Sequence, residues 1–123
     1  MNRAQLCGMT REELTDFVVN TLGEKRFRAD QIWSWVIRGA AVSEMTNLSA
    51  PLRQKLGEVA TTNPVCIERS VRSRLDDTEK YLYALEDGNL IEGVRMRYHY
   101  GDTLCVSTQV GCSMGCAFCA STL

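Results

Sequence analysis

The sequence predicts an α+β chain, a small three-helix domain at the N-terminus followed by an antiparallel β meander. Three observations predict it. Apolar residues recur at helical spacing in three segments between residues 10 and 59, with capping residues and glycines marking their ends. After Pro64 the pattern changes to alternation with a period of two. The later segments are separated only by short turns, Asp87-Gly88 above all, and strands joined that closely run antiparallel.

Residues 1–9 carry no clear signal. Thr10 and Glu13 form a capping box, in which each side chain satisfies a free backbone N–H of a helix start. Leu14, Phe17, Val18, Thr21 and Leu22 then share one helix face, and Gly23 ends the helix. Ala29, Ile32, Trp33, Val36 and Ile37 form the stripe of a second helix closed by Gly39, with Trp35 off that stripe, either covering a neighbouring segment or partly exposed. Ser49 and Pro51 read as the cap and first-turn proline of a third helix carrying Leu52, Leu56 and Val59. Lys25, Arg26, Arg28 and Arg38 lie in or beside the second helix, where they fit a phosphate-contacting face and a solvated helix surface equally well.

Thr61-Thr62-Asn63-Pro64 is the expected linker. Beyond it Val65, Ile67, Arg69 and Val71 alternate with Cys66, Glu68 and Ser70 as in a strand. Asp76-Asp77 turns into a strand over 81–85, and Asp87-Gly88-Asn89 makes a tight hairpin into 90–100. Gly101-Asp102 turns again into 103–110, the strand that delivers a cysteine-rich loop.

A length of 123 residues suits one ordinary domain or two small ones. A net charge of −1 gives no global case for nucleic-acid binding, so any RNA contact must come from local patches. The N-terminus has no signal-peptide core and no run approaches membrane-spanning length, which points to the cytoplasm. In that reducing compartment clustered cysteines read as metal-binding or catalytic.

Cys112, Cys116 and Cys119 stand as C-x3-C-x2-C in GCSMGCAFC. Thiolate is the soft ligand that iron–sulfur clusters and zinc select. Gly111 and Gly115 allow the loop to curl tightly around them. Zinc sites usually close with four protein ligands, so three cysteines suggest a cubane cluster with one iron open. The alternative is a structural zinc loop using Cys105 or the lone His99 as fourth ligand. By itself Cys105 reads as a buried small hydrophobe, Glu92 as an outward strand residue and His99 as an ordinary hairpin-end residue, with an RNA contact as the alternative for His99. Cys7 and Cys66 have no partner pattern and read as structural.

The C-x3-C-x-aromatic-C pattern, with Phe118 as the aromatic, resembles the signature of the radical S-adenosylmethionine enzymes. The longer run CVSTQVGCSMGCAFCAST is similar to the branch that methylates C2 of adenosine in 23S rRNA and tRNA. FRADQIWSWVIRG resembles the accessory domain of that family, which grips folded RNA. The resemblance implies a 4Fe–4S cluster on Cys112, Cys116 and Cys119, with S-adenosylmethionine on the open iron and Phe118 as a contact to it. Glu92, in LIEGVRMR, falls on the family's proton acceptor. Cys105 falls on a cysteine that pairs transiently with a second, methyl-carrying cysteine beyond the end of this sequence. The resemblance further implies 23S rRNA and tRNA as partners, an electron donor such as flavodoxin or ferredoxin, no membrane partner and a monomer.

The expected divisions are a helical RNA-binding domain over 1–62, a β-hairpin extension over 63–103, and the start of the radical core over 104–123. The last strand would open a partial (β/α) barrel. On this reading the chain is the front of a longer enzyme and is inactive alone. C2 of adenine is electron-poor, which is why a radical route rather than simple nucleophilic attack serves it, and an unstacked base must be presented. The rivals are another radical enzyme with a different substrate and a non-catalytic, zinc-stabilised RNA-binding module. Methylation at C8 instead of C2 would leave the same signature.

Overall fold

The computed structural model describes residues 3–120. Ser121 and Thr122, the end of the signature run, lie outside the described residues. The chain divides into two compact units, Met1–Pro64 and Val65–Leu123.

The first unit is helical. Strand β1 (Ala4–Gln5) leads into a turn of 3-10 helix, then α1 (Arg11–Asp16), which widens into a π turn over Phe17–Thr21. Helices α2 (Arg26–Val36) and α3 (Ala50–Val59) follow, and β2 (Ala60–Thr61) pairs in parallel with β1. The expected capping box is present: the Glu13 N–H donates to the Thr10 hydroxyl at 3.2 Å, and the Thr10 N–H to the Glu13 carboxylate at 2.7 Å. Gly23 takes φ +67, and the Glu24 N–H returns to the Val18 carbonyl at 3.1 Å, closing the helix end. Lys55 adds a cation there, donating to the Leu22 carbonyl at 2.6 Å.

Leu14, Val18, Leu22, Ala29, Ile32, Leu52 and Leu56 all enter one core, as their spacing predicts. Three of the expected stripe residues do not. Thr21 is exposed, Ile37 is 64% exposed beyond the last turn of α2, and Val59 is 38% exposed where α3 gives way to β2. Trp35 covers the segment after α2: its indole N–H donates to Asn47 at 2.7 Å and its ring packs against the core. Residues 4–6, silent in the sequence, close the unit, since Ala4 pairs with Ala60 and Leu6 is wholly buried. Part of the expected linker is therefore structured, because Thr61 is a β2 residue.

The second unit is a four-stranded antiparallel meander, β3 (Val65–Arg72), β4 (Glu79–Leu85), β5 (Leu90–Tyr98) and β6 (Gly101–Val106), in that order. A bulge between Ile67 and Arg69 corrects the expected alternation in β3. Glu68 is the extra residue, so Val65 and Ile67 lie on one face while Arg69 and Val71 lie on the other. The β5–β6 turn also differs. It falls at His99–Tyr100, with Gly101 (φ +133) already pairing with Tyr98. Strand β6 stops at Val106 instead of running to 110, and residues beyond Ser107 leave as bends. Gly93 is the only buried residue of this unit among those described. A Cβ there would stand 2.6 Å from Cε2 of Tyr83, so the Tyr83 ring lies across a strand position that only glycine leaves open.

Candidate cluster loop and the strand face beside it

Strand register decides which side chains meet. On β5, Leu90, Glu92, Val94, Met96 and Tyr98 share one face. Leu82 lies opposite Glu92 on β4, and Cys105 lies opposite Val94 on β6. The Ser107 N–H donates to the Glu92 carbonyl at 3.0 Å, which sets Ser107 opposite Glu92 and makes Cys105 its diagonal neighbour on the same face. Ordinary sheet geometry separates such diagonal neighbours by roughly 7 Å. Lys80 takes the corresponding diagonal on β4, and its Nζ is 3.2 Å from Glu92 Oε1. Lys80 and Cys105 both lie level with Val94, so Glu92 has a diagonal neighbour on each flanking strand of one face. Both charged groups are about half exposed, 54% and 51%, so the pair orients Glu92 more than it stabilises the sheet.

Cys105 is exposed, which corrects its reading as a buried hydrophobe. Cys7 and Cys66 are exposed as well, so neither fills a core. His99 is a turn residue at the hairpin end, as the sequence suggests.

The cysteine loop follows directly. Gly111 and Gly115 take φ +68 and +67, left-handed conformations that favour glycine and bend the loop on either side of Cys112. The Cys119 N–H donates to the Cys116 carbonyl at 3.2 Å, drawing the second and third cysteines into one turn. Cys112 and Cys119 are half-buried, Cys116 is exposed, and Phe118 is 95% exposed. Glu92 and Cys112 line one open depression of about 470 Å³, together with Leu82, Leu90, Ser107 and Gln109. Cys105, Cys116, Phe118 and Cys119 are not among its lining residues.

The donor set fits an iron–sulfur cluster in chemistry and in loop conformation. Among the described residues no three Cys, His, Asp or Glu side chains are grouped to hold a metal. Loops of this kind are gathered by the metal itself, whose binding energy is folding energy.

Residues 4–62 match the family described as the ribosomal RNA large subunit methyltransferase N-terminal domain. This segment belongs to that domain family. The "Probable dual-specificity RNA methyltransferase RlmN" of Alkaliphilus oremlandii is 50% identical over all of this chain and 36% of its own length. The protein of the same name from Clostridioides difficile is 48% identical over 96% of the chain and 34% of its own length. A radical SAM methyltransferase from Sphaerobacter thermophilus, known from its crystal structure, superposes with a TM-score of 0.87 at 36% identity, over 97% of this chain and 35% of that one. The chain thus resembles the N-terminal part of the RlmN methyltransferases, and it spans about a third of the length of the curated relatives it matches. Its α+β architecture is that of the matched methyltransferase structure. Among the described residues no helix is long and apolar enough to cross a membrane.

Lys80 is the neighbour that sequence reading missed. The register that brings Lys80 beside Glu92 comes from a three-residue turn, Glu86-Asp87-Gly88, closed by the Leu85 N–H on the Asn89 carbonyl at 2.8 Å, and a two-residue turn at Asp87-Gly88 would put Lys80 on the other face.

Proposed function

We propose that this chain forms the RNA-gripping front and the cluster loop of a radical S-adenosylmethionine enzyme that methylates C2 of adenine in 23S rRNA and tRNA. The observation that carries this reading is the shared depression of Glu92 and Cys112, with Cys105 diagonal to Glu92, in a chain half identical to RNA methyltransferases. The thiolates of Cys112, Cys116 and Cys119 would hold the cluster. When bound, the cluster and S-adenosylmethionine supply the radical chemistry that an electron-poor carbon requires.

The chain's own residues do the rest. Glu92, held by Lys80, accepts the proton released from the substrate adduct. Cys105 presents an exposed thiol on the same face, available to pair with a methyl-carrying cysteine outside this sequence. Phe118 offers an uncovered ring to S-adenosylmethionine. The helical unit, with the basic residues of α2, grips folded RNA. Flavodoxin or ferredoxin supplies the electron, the setting is the cytoplasm, and the working form is a monomer.

Deleting the gene for this chain should remove 2-methyladenosine from nuclease digests of 23S rRNA and tRNA, read by mass spectrometry. The wild-type gene should restore it, and Cys112→Ala and Glu92→Gln alleles should not. Unchanged 2-methyladenosine in the deletion strain would sink the proposal. Anaerobic reconstitution with iron and sulfide addresses the metal. A brown protein whose visible absorption disappears in Cys112→Ala supports the cluster, and a colourless protein holding stoichiometric zinc overturns it.

A further inference from the structure

The tip of the β5–β6 hairpin carries an aromatic stack with no task in the mechanism above. The Tyr98 and Tyr100 rings lie 5.1 Å apart at 16°, and His99 meets Tyr100 edge-on at 5.2 Å. Both tyrosines are open to solvent, 45% and 70% exposed. The Tyr98 hydroxyl donates to the Met96 sulfur at 3.4 Å, which pins the inner ring along the strand. Gly101 carries the left-handed conformation, and no residue of the turn other than glycine does. The stack is therefore held by an unstrained backbone and one anchored ring. Turns are ordinarily built from small polar residues, and two large rings at this one leave apolar surface in water.

Charge around the tip selects the occupant. The β3–β4 loop reaches the same end of the sheet, where Arg97 lies 3.8 Å from Asp77 and 3.2 Å from Asp102, and Arg72 is 2.8 Å from Asp77. Those cations are already paired. Arg74, in the same loop, is in no ion pair among the described residues. Flat stacked rings at a tip whose neighbouring cations are already paired suit a single unstacked base. A duplex would require a row of free cations instead. Tyr98 also shares the face of Glu92 and lies six residues further along β5, about 20 Å at ~3.3 Å per residue.

We propose that the Tyr98–Tyr100 stack is a platform for an unpaired RNA base flanking, within a few nucleotides, the base presented to Glu92. This inference rests on the reading of RNA as substrate. It adds a binding site outside the reacting centre.

The test is fluorescence anisotropy of the full chain with a short end-labelled single-stranded RNA and with the same RNA carrying abasic residues. The wild type should prefer the base-bearing RNA by roughly tenfold. Tyr100→Phe should keep that preference and Tyr100→Ser should lose it, while salt-sensitive phosphate binding persists in both. Equal wild-type affinity for the two RNAs would overturn the proposal and leave the patch to a protein segment. So would a preference retained in both Tyr98→Ser and Tyr100→Ser. The wild-type comparison needs no variant to fold. The assay uses neither cluster nor S-adenosylmethionine, so its failure leaves the methylation result standing, and a failed methylation test leaves base preference measurable.

Discussion

Gly93 should be among the least substitutable positions of the sheet, and Gly93→Ala measures why. Its φ lies outside the left-handed region, so alanine fits the backbone, and loss of unfolded-state freedom alone would stabilise by about 0.4–1 kcal/mol. Space opposes this. The new Cβ would stand 2.6 Å from Tyr83 Cε2, 3.2 Å from its Oη and 3.3 Å from the Cys105 carbonyl. The ring must swing away, and it leaves its stack on Tyr81 at 5.8 Å. Overpacking of this kind costs about 1–3 kcal/mol, so the net destabilisation is roughly 1–2 kcal/mol. All four tyrosines lie in the sheet unit and both tryptophans in the helical unit. In urea, the near-ultraviolet circular dichroism of tyrosine should therefore shift to lower midpoint while tryptophan fluorescence does not. In a Tyr83→Ala background only the 3.3 Å approach to Cys105 remains, and most of the cost should vanish. A neutral or stabilising Gly93→Ala, or an equal cost in both backgrounds, would refute the reasoning.

Leu6→Ala should destabilise the helical unit by roughly 2–4 kcal/mol, because Leu6 is wholly buried; tryptophan fluorescence would show it while the tyrosine signal stays in place. Glu13 has its pKa held below the usual glutamate value, chiefly by the Thr10 backbone N–H and then by the Thr10 side chain. Its contribution is complete above the unfolded value and is lost as pH falls through the lower folded value. Glu13→Gln should flatten that acid limb of the tryptophan-detected stability profile. Cys116→Ala should leave both unfolding transitions unchanged, since Cys116 is exposed, and should abolish iron and sulfide uptake if it is the donor proposed above.

The helical unit was legible because its signals are local. A capping box, a left-handed glycine and 3.6-residue spacing each act within one or two turns, and Leu14, Val18, Ile32 and Leu56 went where that spacing sends them. Leu6, Met45 and Leu48 are equally central but sit in segments without a period, so only tertiary packing reveals them. In the sheet, the number and order of strands followed from turns, yet one bulge at Glu68 reversed the facing of Arg69 and Val71. A bulge leaves no compositional mark at such a position. The glycine-bent loop that carries the three cysteines was legible from their spacing and from Gly111 and Gly115. That Glu92 lies diagonal to Cys105 required the register of the β5–β6 hairpin.

Register also explains why the cluster loop and the carboxylate, widely separated in sequence, lie on a common depression. Strand β6 runs antiparallel to β5, so the chain leaving β6 at Ser107 passes the end of β5 where Glu92 lies, and the loop beginning at Gly111 follows within four residues. A parallel arrangement would deliver the loop to the opposite end of the sheet. The two-residue turn at His99–Tyr100 sets that register, because each added residue would move Cys105 to the other face of β6. The aromatic tip and the Glu92 end of the strand face are thus two ends of one hairpin. Its turn fixes where Cys105 points, and its strands bring Glu92 to the depression lined by Cys112.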